Sequence, residues 1–206
     1  RESLGLIAES GASAFYEGAI AQETKEAAAR DGGWIKEEDL VSVEAQVVPA
    51  YSVELDDIEI WVPDWPSQAK ITPELLKAVD KSVDPTSAAY VSVIAPLTQK
   101  LLIDRCTQGL SGTAVSSAAD ASGMSVTLVH SLAGVQFGTG WVAGNTGIAF
   151  GNRVGTALSL RKDLPASNPI GGAVLPHTLS AAHVRNGQAW MTLATPGGDR
   201  PVTYTH

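Results

Sequence analysis

The hydrophobic pattern changes near the middle of the chain, from a helix-rich first part to a strand-rich second part. In the first part, Phe15, Ile20 and Ala27 recur at helical spacing before the stop signal of Gly32 and Gly33. This period of about 3.6 residues predicts an amphipathic helix with one buried face.

Shorter patterns predict the other elements of the first part. An acidic turn after Gly33 leads into β-forming residues up to Pro49, and residues 58–62 alternate as a short strand does. The sequence TPELLKAVDK predicts a helix with Thr72 as its cap and Pro73 in its first turn. Residues 84–105 are weakly helical, and a proline interrupts the pattern.

A β-hairpin is the clearest feature of the second part, where Gly, Ser, Thr and Ala dominate. The turn-forming sequence Asp120–Gly123 joins two runs of strand residues. Folding the hairpin about this turn brings Thr113 opposite His130 or Ser131, give or take one residue. We therefore expect the hydroxyl side chains of Thr113 and Ser131 to meet on neighbouring strands.

Two further strands are predicted beyond this hairpin, and no internal repeat occurs. One follows a glycine-rich loop in the sequence GTGWVAGNTGIAF, and the other lies in GQAWMTLAT and ends at Pro196. The glycine pattern GTGWVAG does not match the dinucleotide-binding fingerprint, whose third glycine falls one position earlier.

Composition and charge exclude several classes of function. The 206 residues are 44% hydrophobic and 17% charged, which suits one globular domain. A net charge of −8 without a basic cluster argues against nucleic acid and anionic membranes as partners. The apolar runs are too short to span a bilayer. With one cysteine and no metal-ligand spacing among the four histidines, we expect neither a metal nor a cofactor. The cellular compartment stays open.

Thr113 is the candidate nucleophile. Most threonines at the start of a strand are structural. Here, however, Gly112 leaves room for the Thr113 hydroxyl to attack the preceding carbonyl carbon. An N-to-O acyl shift and ester hydrolysis would then free the α-amine of Thr113, whose ordinary pKa of about 7.7–8.0 suits a general base. Gly197 and Gly198 form either a plain turn or a pair of N–H donors for an oxyanion.

Six segments together resemble the γ-glutamyltransferase (glutathione hydrolase) family of N-terminal-nucleophile (Ntn) hydrolases. In the family's order they are ESGASAFYEGAIA, DGGWIKEEDL, VPDWPSQA, TAVSSAADASGMSV, FGTGWVAGNTGI and ATPGGDR. The resemblance implies an α+β fold, namely a four-layer αββα sandwich. In this chain the sandwich would be incomplete at both ends. It also implies a precursor cut into two subunits that together form one structural domain. Residues 1–112 would end the large subunit, and residues 113–206 would begin the small one.

The same resemblance implies roles for individual residues. Thr113 matches the nucleophile and processing residue, and Gly112 precedes the cut. Ser131 falls where the family has a threonine that hydrogen-bonds the nucleophile. Gly197 and Gly198 match the backbone oxyanion hole.

The groups that would bind a glutamyl substrate differ from the family's pattern. The carboxylate that pairs with the glutamyl ammonium is absent, and Arg153 stands in that segment. The family's paired serines, which hold the α-carboxylate, are replaced around His177 and Thr178. An ammonium buried without a carboxylate costs several kcal/mol, whereas an arginine favours a carboxylate. We therefore expect Arg153, His177 and Thr178 to bind a carboxylate-bearing substrate.

These patterns predict a γ-glutamyltransferase-like Ntn amidohydrolase or acyltransferase that cuts itself between Gly112 and Thr113. Its substrate would be a small carboxylate-bearing amide, and water or an amine would accept the acyl group. One alternative is a true γ-glutamyl hydrolase or transferase acting on glutathione-type substrates. Another is a non-catalytic homologue, since the second threonine and the histidine of the family's processing motif are absent after Thr113 and the linker after Asp80 is short. The processed subunits would form pairs, and whether these pairs assemble into homo-oligomers stays open.

Overall fold

The computed structural model describes most of the chain, and its residues fall into two compact units. The described residues are 1–103, 113–133, 138–158, 172, 174–175 and 177–195, with backbone alone for 101–103, 156–158 and 195. Unit 1 comprises Arg1–Val48 and Thr139–Phe150, and unit 2 comprises Pro49–Gly138 and Gly151–His206.

The helices of unit 1 confirm one part of the helix prediction for this region and correct another part. They are α1 (Glu2–Ser10), α2 (Ala12–Tyr16), α3 (Ala19–Arg30) and α4 (Glu37–Val41). The single predicted helix is divided at Gly18, where a Cβ would lie 3.0 Å from the Ala14 backbone. Ile20 and Ala27 are buried on α3 as predicted. The predicted stop is also confirmed, because α3 ends before Gly32, which has a φ of 75°.

Two predicted strands are absent from the described part of unit 1. The β-forming residues before Pro49 form no strand, and Val47 is fully exposed. Residues 139–150 form a loop with one isolated bridge, between Val142 and Ala149. Their glycines at positive φ interrupt an extended conformation: Gly140, Gly144 and Gly147.

Three hydrogen bonds hold this loop on the helices of unit 1. The Ser3 hydroxyl donates to the Thr146 carbonyl at 2.7 Å. A Glu23 carboxylate oxygen accepts the Asn145 N–H at 3.0 Å. The Trp141 indole donates to Asp31 at 2.7 Å, and this bond is the main reason that the pKa of Asp31 is lowered.

Unit 2 contains an antiparallel sheet of four described strands in the order β1-β2-β5-β6. These strands are β1 (Tyr51–Leu55), β2 (Ile58–Val62), β5 (Ser180–Asn186) and β6 (Ala189–Thr195). The prediction of β2 is confirmed. The sheet core is formed by Ile60, Val62 and Ala69, with Val184 of β5 packed against it. The apolar residues that alternate along β2 therefore form its buried face.

The two other helices of the first part correct two details of the sequence analysis. They are α5 (Ile71–Ala78) and α6 (Ala88–Ile103). Thr72 lies inside α5, and Lys70 occupies the cap position. Pro96 lies within α6 without ending it. The Ser87 hydroxyl accepts the Tyr90 N–H at 3.2 Å and so caps the start of α6.

A second sheet of unit 2 is the predicted hairpin, β3 (Thr113–Ala119) with β4 (Ser125–Ser131). It packs on β5 and β6, so the two sheets form a sandwich. The Ser125 hydroxyl lies 3.2 Å from the His183 Nδ1 of the facing sheet.

Candidate active site

Thr113 and Ser131 are the end pair of the β3–β4 ladder. Thr113 opens β3, Ser131 ends β4, and the two are paired across the strands. The turn that sets this register is held by Asp120, whose carboxylate accepts the Ser122 and Met124 N–H groups at 2.9 and 3.0 Å. The predicted register, with Thr113 opposite Ser131, is therefore confirmed.

The chain after Ser131 connects this pair to the next element. The Ser131 hydroxyl accepts the Ala133 N–H at 3.0 Å, and Ala133 is buried with a φ of 53°. The Leu132 carbonyl accepts the Asn152 N–H at 2.6 Å. A Cβ on Gly151 would lie 3.1 Å from that same carbonyl oxygen. Ser131 is thus fixed next to the segment that leads into Arg153.

Arg153 begins a short helix, α7 (Arg153–Leu158), and its side chain is half-buried. Burial lowers the pKa of its guanidinium. Within the described residues, no carboxylate forms an ion pair with it. Arginine keeps its charge in proteins, so Arg153 is a partly desolvated cation that lacks a counter-ion in this part of the chain. Such a group favours the binding of an anion.

His177 is attached to the Pro-rich loop (residues 63–69) through its backbone. The His177 N–H donates to the Pro66 carbonyl at 3.0 Å, and the Gln68 N–H donates to the His177 carbonyl at 3.1 Å. A parallel bridge joins His177 to Ser67. Burial, followed by the charge of Arg153, lowers the pKa of His177, while its own carbonyl acts in the opposite direction. The imidazole is therefore neutral at pH 7.

Thr178, the next residue along the chain, is buried against the same loop. Its carbonyl accepts a hydrogen bond of 3.4 Å from the Gln68 side-chain amide, and the next carbonyl, of Leu179, accepts the Ser67 hydroxyl at 2.6 Å. Sequence reasoning did not identify Ser67 and Gln68 as neighbours of His177. The signal available was the segment VPDWPSQA, which resembles a block of the family without showing what it contacts.

Among the candidate residues, the structure pairs Thr113 with Ser131. The charge of Arg153 lowers the pKa of His177, and the bond from the Asn152 N–H to the Leu132 carbonyl joins the segment after Ser131 to the segment that leads into Arg153. The cleavage junction was assigned to Gly112 and the oxyanion hole to Gly197 and Gly198. All three glycines lie outside the described residues. Their roles stay predictions.

The described residues contain neither a metal-binding cluster nor a membrane-spanning helix. No group of three or more His, Cys, Asp or Glu side chains is arranged to hold a metal ion in the part of the chain that is described. In the same residues, no helix has the length and apolar character needed to cross a bilayer.

The fold is that of an Ntn hydrolase, an α+β sandwich of two sheets with helices. The structure is similar to that of a cephalosporin acylase from Bacillus halodurans, with a TM-score of 0.76 and 20% sequence identity. The match covers 90% of this chain and 41% of that one, so the chain spans about two fifths of the length of that structure.

The gamma-glutamyltranspeptidase family profile matches residues 2–105, half of the chain. The chain belongs to this family, and the resemblance noted in the sequence is confirmed. No curated protein sequence matches.

Proposed function

We propose that this chain carries the cleavage junction and acyl-binding residues of an Ntn amidohydrolase or acyltransferase. Residues 1–112 would end the large subunit and residues 113–206 would begin the small one, with the cut between Gly112 and Thr113. Family membership and the fold support the class of enzyme. The pairing of Thr113 with Ser131 is the observation that carries the proposal.

In the proposed reaction, the free α-amine of Thr113 takes the proton of the Thr113 hydroxyl. The hydroxyl oxygen attacks the amide carbon of the substrate, and the N–H groups of Gly197 and Gly198 stabilise the oxyanion. The proton then passes to the leaving amine as the C–N bond breaks, which leaves an ester on Thr113. Water or a second amine resolves this ester. Ser131 acts as a hydrogen-bonding residue next to the nucleophile.

The proposed substrate is a small amide whose acyl group bears a carboxylate. Arg153 supplies the positive charge for it, with His177 and Thr178 at the same part of the site. The lack of a described carboxylate next to Arg153 supports this specificity over a γ-glutamyl group, because an α-ammonium would meet a cation there.

The mass of the freshly purified full-length protein tests the processing step. We expect two polypeptides whose masses correspond to a cut before Thr113. The Thr113→Ala variant should stay uncut, and Thr113→Ser should be cut more slowly. A wild-type protein that stays in one piece would overturn the proposal and favour a non-catalytic homologue.

Matched chromogenic anilides test the specificity. A γ-glutamyl anilide and its des-amino counterpart, the glutaryl anilide, differ only in the α-ammonium. We expect the processed protein to hydrolyse the glutaryl anilide faster. Faster turnover of the γ-glutamyl anilide would instead identify the alternative, a γ-glutamyl hydrolase or transferase.

A further inference from the structure

Two glycines near Arg153 each leave room for another group of the protein. A Cβ on Gly151 would lie 3.1 Å from the Leu132 carbonyl oxygen. A Cβ on Gly155 would collide with the Oδ1 of Asn152 and would lie 3.0 Å from its Nδ2. The Asn152 side chain therefore lies against the first turn of α7, in space that any other residue at position 155 would fill.

The place of Asn152 in the chain explains the effect of this contact. Asn152 directly precedes α7, and asparagine is preferred at that position because its side-chain oxygen can accept the unpaired N–H groups of the first turn. Gly155 is the third residue of α7, which is where such an oxygen binds in capped helices. The contact thus restrains the start of a helix of 6 residues, and a helix this short has little stability of its own.

The backbone of Asn152 is held by a different part of the chain. Its N–H donates to the carbonyl of Leu132 at 2.6 Å, and Leu132 directly follows Ser131. Ser131 ends β4 and pairs with Thr113. One hydrogen bond of Asn152 therefore links the end of the β3–β4 hairpin to the residue that precedes Arg153.

We propose that Asn152 is a positioning residue for Arg153. Its side chain fixes the first turn of α7, and its N–H fixes that turn relative to Ser131. Arg153 is thereby held at a set distance from the nucleophile, Thr113.

This inference rests on the proposed function and narrows its substrate class. An arginine at a set distance selects acyl groups by the number of carbons between the carboxylate and the amide carbon. Only one length places the carboxylate on Arg153 and the amide carbon on Thr113 at the same time. The substrates are therefore monoamides of a dicarboxylic acid of one chain length.

A double-mutant cycle in the Thr113→Ala protein tests the contact without any need for activity. Gly155→Ala should lower the urea midpoint, because the new Cβ displaces the Asn152 side chain. In the Asn152→Ala background the same change should raise the midpoint, since the space is vacant and alanine favours a helix more than glycine does. A change of the same sign in both backgrounds would overturn the inference. Where Asn152→Ala fails to fold, the shorter Asn152→Ser takes its place, and Gly155→Ala should then lower the midpoint less than it does with asparagine.

The succinyl, glutaryl and adipyl anilides, which differ by one CH2 each, test the position of Arg153. We expect the processed enzyme to prefer one of them by about tenfold or more in kcat/KM. Asn152→Ala should reduce this preference to about twofold, whereas a purely structural defect would slow all three hydrolyses alike. Asn152→Ser, which keeps a capping oxygen, should restore most of the preference.

Val154→Ala is the matched control, because it shortens an exposed side chain of the same helix and should leave the preference unchanged. A wild-type enzyme without a chain-length preference, or a preference equally strong in Asn152→Ala, would show that Asn152 does not position Arg153.

The two proposals fail in different ways. A protein that is never cut would end the proposed function, whereas the double-mutant cycle in the Thr113→Ala protein would still report the contact of Asn152 with α7. A processed enzyme whose preference among the three anilides is the same with and without the Asn152 side chain would end this inference alone.

Discussion

Thr113 and Ser131 face each other at the open end of the β3–β4 hairpin, opposite the turn held by Asp120. Cutting the chain before Thr113 would therefore free an amino group at the end of a paired strand. The strand keeps the new terminus in place because the ladder continues through the whole of β3. This geometry relates the local turn sequence to the proposed nucleophile.

Ser131→Ala should reduce both stability and processing. The Ala133 N–H, which Ser131 accepts at 3.0 Å, loses its partner, at a cost of about 1–3 kcal/mol in unfolding free energy. The rate of cutting should fall about tenfold with the loss of one hydrogen bond near the nucleophile. Urea unfolding and the time course of cleavage measure the two effects.

Two variants serve as controls for Ser131. Ser131→Thr keeps the oxygen and should retain cutting. Ser117→Ala removes an exposed hydroxyl on the same hairpin, 3.0 Å from that of Thr127, and should change stability by less than about 0.5 kcal/mol. Equal effects of Ser131→Ala and Ser117→Ala would contradict the role given to Ser131.

Gly144→Ala should destabilise the protein more than Gly147→Ala. Both glycines have positive φ, 48° and 70°, so alanine at either costs about 1–2 kcal/mol. At Gly144 the new Cβ would also contact the Glu23 carboxylate, whereas at Gly147 it would meet open space. Displacing Glu23 breaks its bond to the Asn145 N–H, which adds about 1 kcal/mol.

Urea midpoints of the two alanine variants measure this difference. The Glu23→Ala background is the matched control, because there the bond is already absent and the two glycine positions should cost nearly the same. A difference that persists without Glu23 would show that the crowding has another source.

The hairpin could be predicted from sequence because residues close together in the chain determine its turn and its register. The residues Asp120–Gly123 specify the turn, and counting outward from it gives the register of Thr113. By contrast, β5 was missed although Asn186-Gly187 before β6 is a turn signal of the same kind, and Gly187 indeed has a φ of 54°.

The site itself could be predicted only in part. Ser67 and His177 are 110 positions apart and meet through a parallel bridge, and neither periodicity nor turn chemistry specifies which loops contact each other. The family resemblance placed Arg153 and His177 in one site. It gave no indication of the buried Gln68, whose backbone N–H donates to the His177 carbonyl. Tertiary contacts of this kind require the folded structure.

Stability should fall as the pH is lowered through the range just below 6.5, the ordinary pKa of histidine. Burial and the charge of Arg153 lower the pKa of His177 in the folded protein. As the pH falls, His177 is therefore protonated in the unfolded chain before it is protonated in the folded protein. The stability that comes from the neutral imidazole is complete above pH 6.5 and is lost as the pH falls towards the folded-state pKa.

Melting temperatures between about pH 7.5 and 5 measure this dependence. The carboxylates with lowered pKa values titrate below this range, so they contribute little to the slope there. His177→Gln should reduce the slope, and Arg153→Met should reduce it in part, since it removes the second cause of the shift. A slope unaffected by His177→Gln would assign the pH dependence to other groups.

Arg153→Met should separate activity from stability. The guanidinium is half-buried and lacks a described carboxylate partner, so replacing it with an apolar side chain should not lower the free energy of unfolding. The loss of a charged hydrogen bond to the substrate should reduce kcat/KM for the glutaryl anilide by about 100-fold, mainly through KM. Arg153→Lys keeps the charge without the bidentate geometry, so its kcat/KM should lie between those of the wild type and Arg153→Met.

Arg185→Met is the matched control. It removes a guanidinium that contacts both Glu59 oxygens at 2.7 Å, so it should cost at most about 1 kcal/mol of unfolding free energy and leave turnover unchanged. An anilide without the carboxylate completes the test, because Arg153→Met should not slow its hydrolysis, and an equal loss on both substrates would show that Arg153 does not bind the carboxylate.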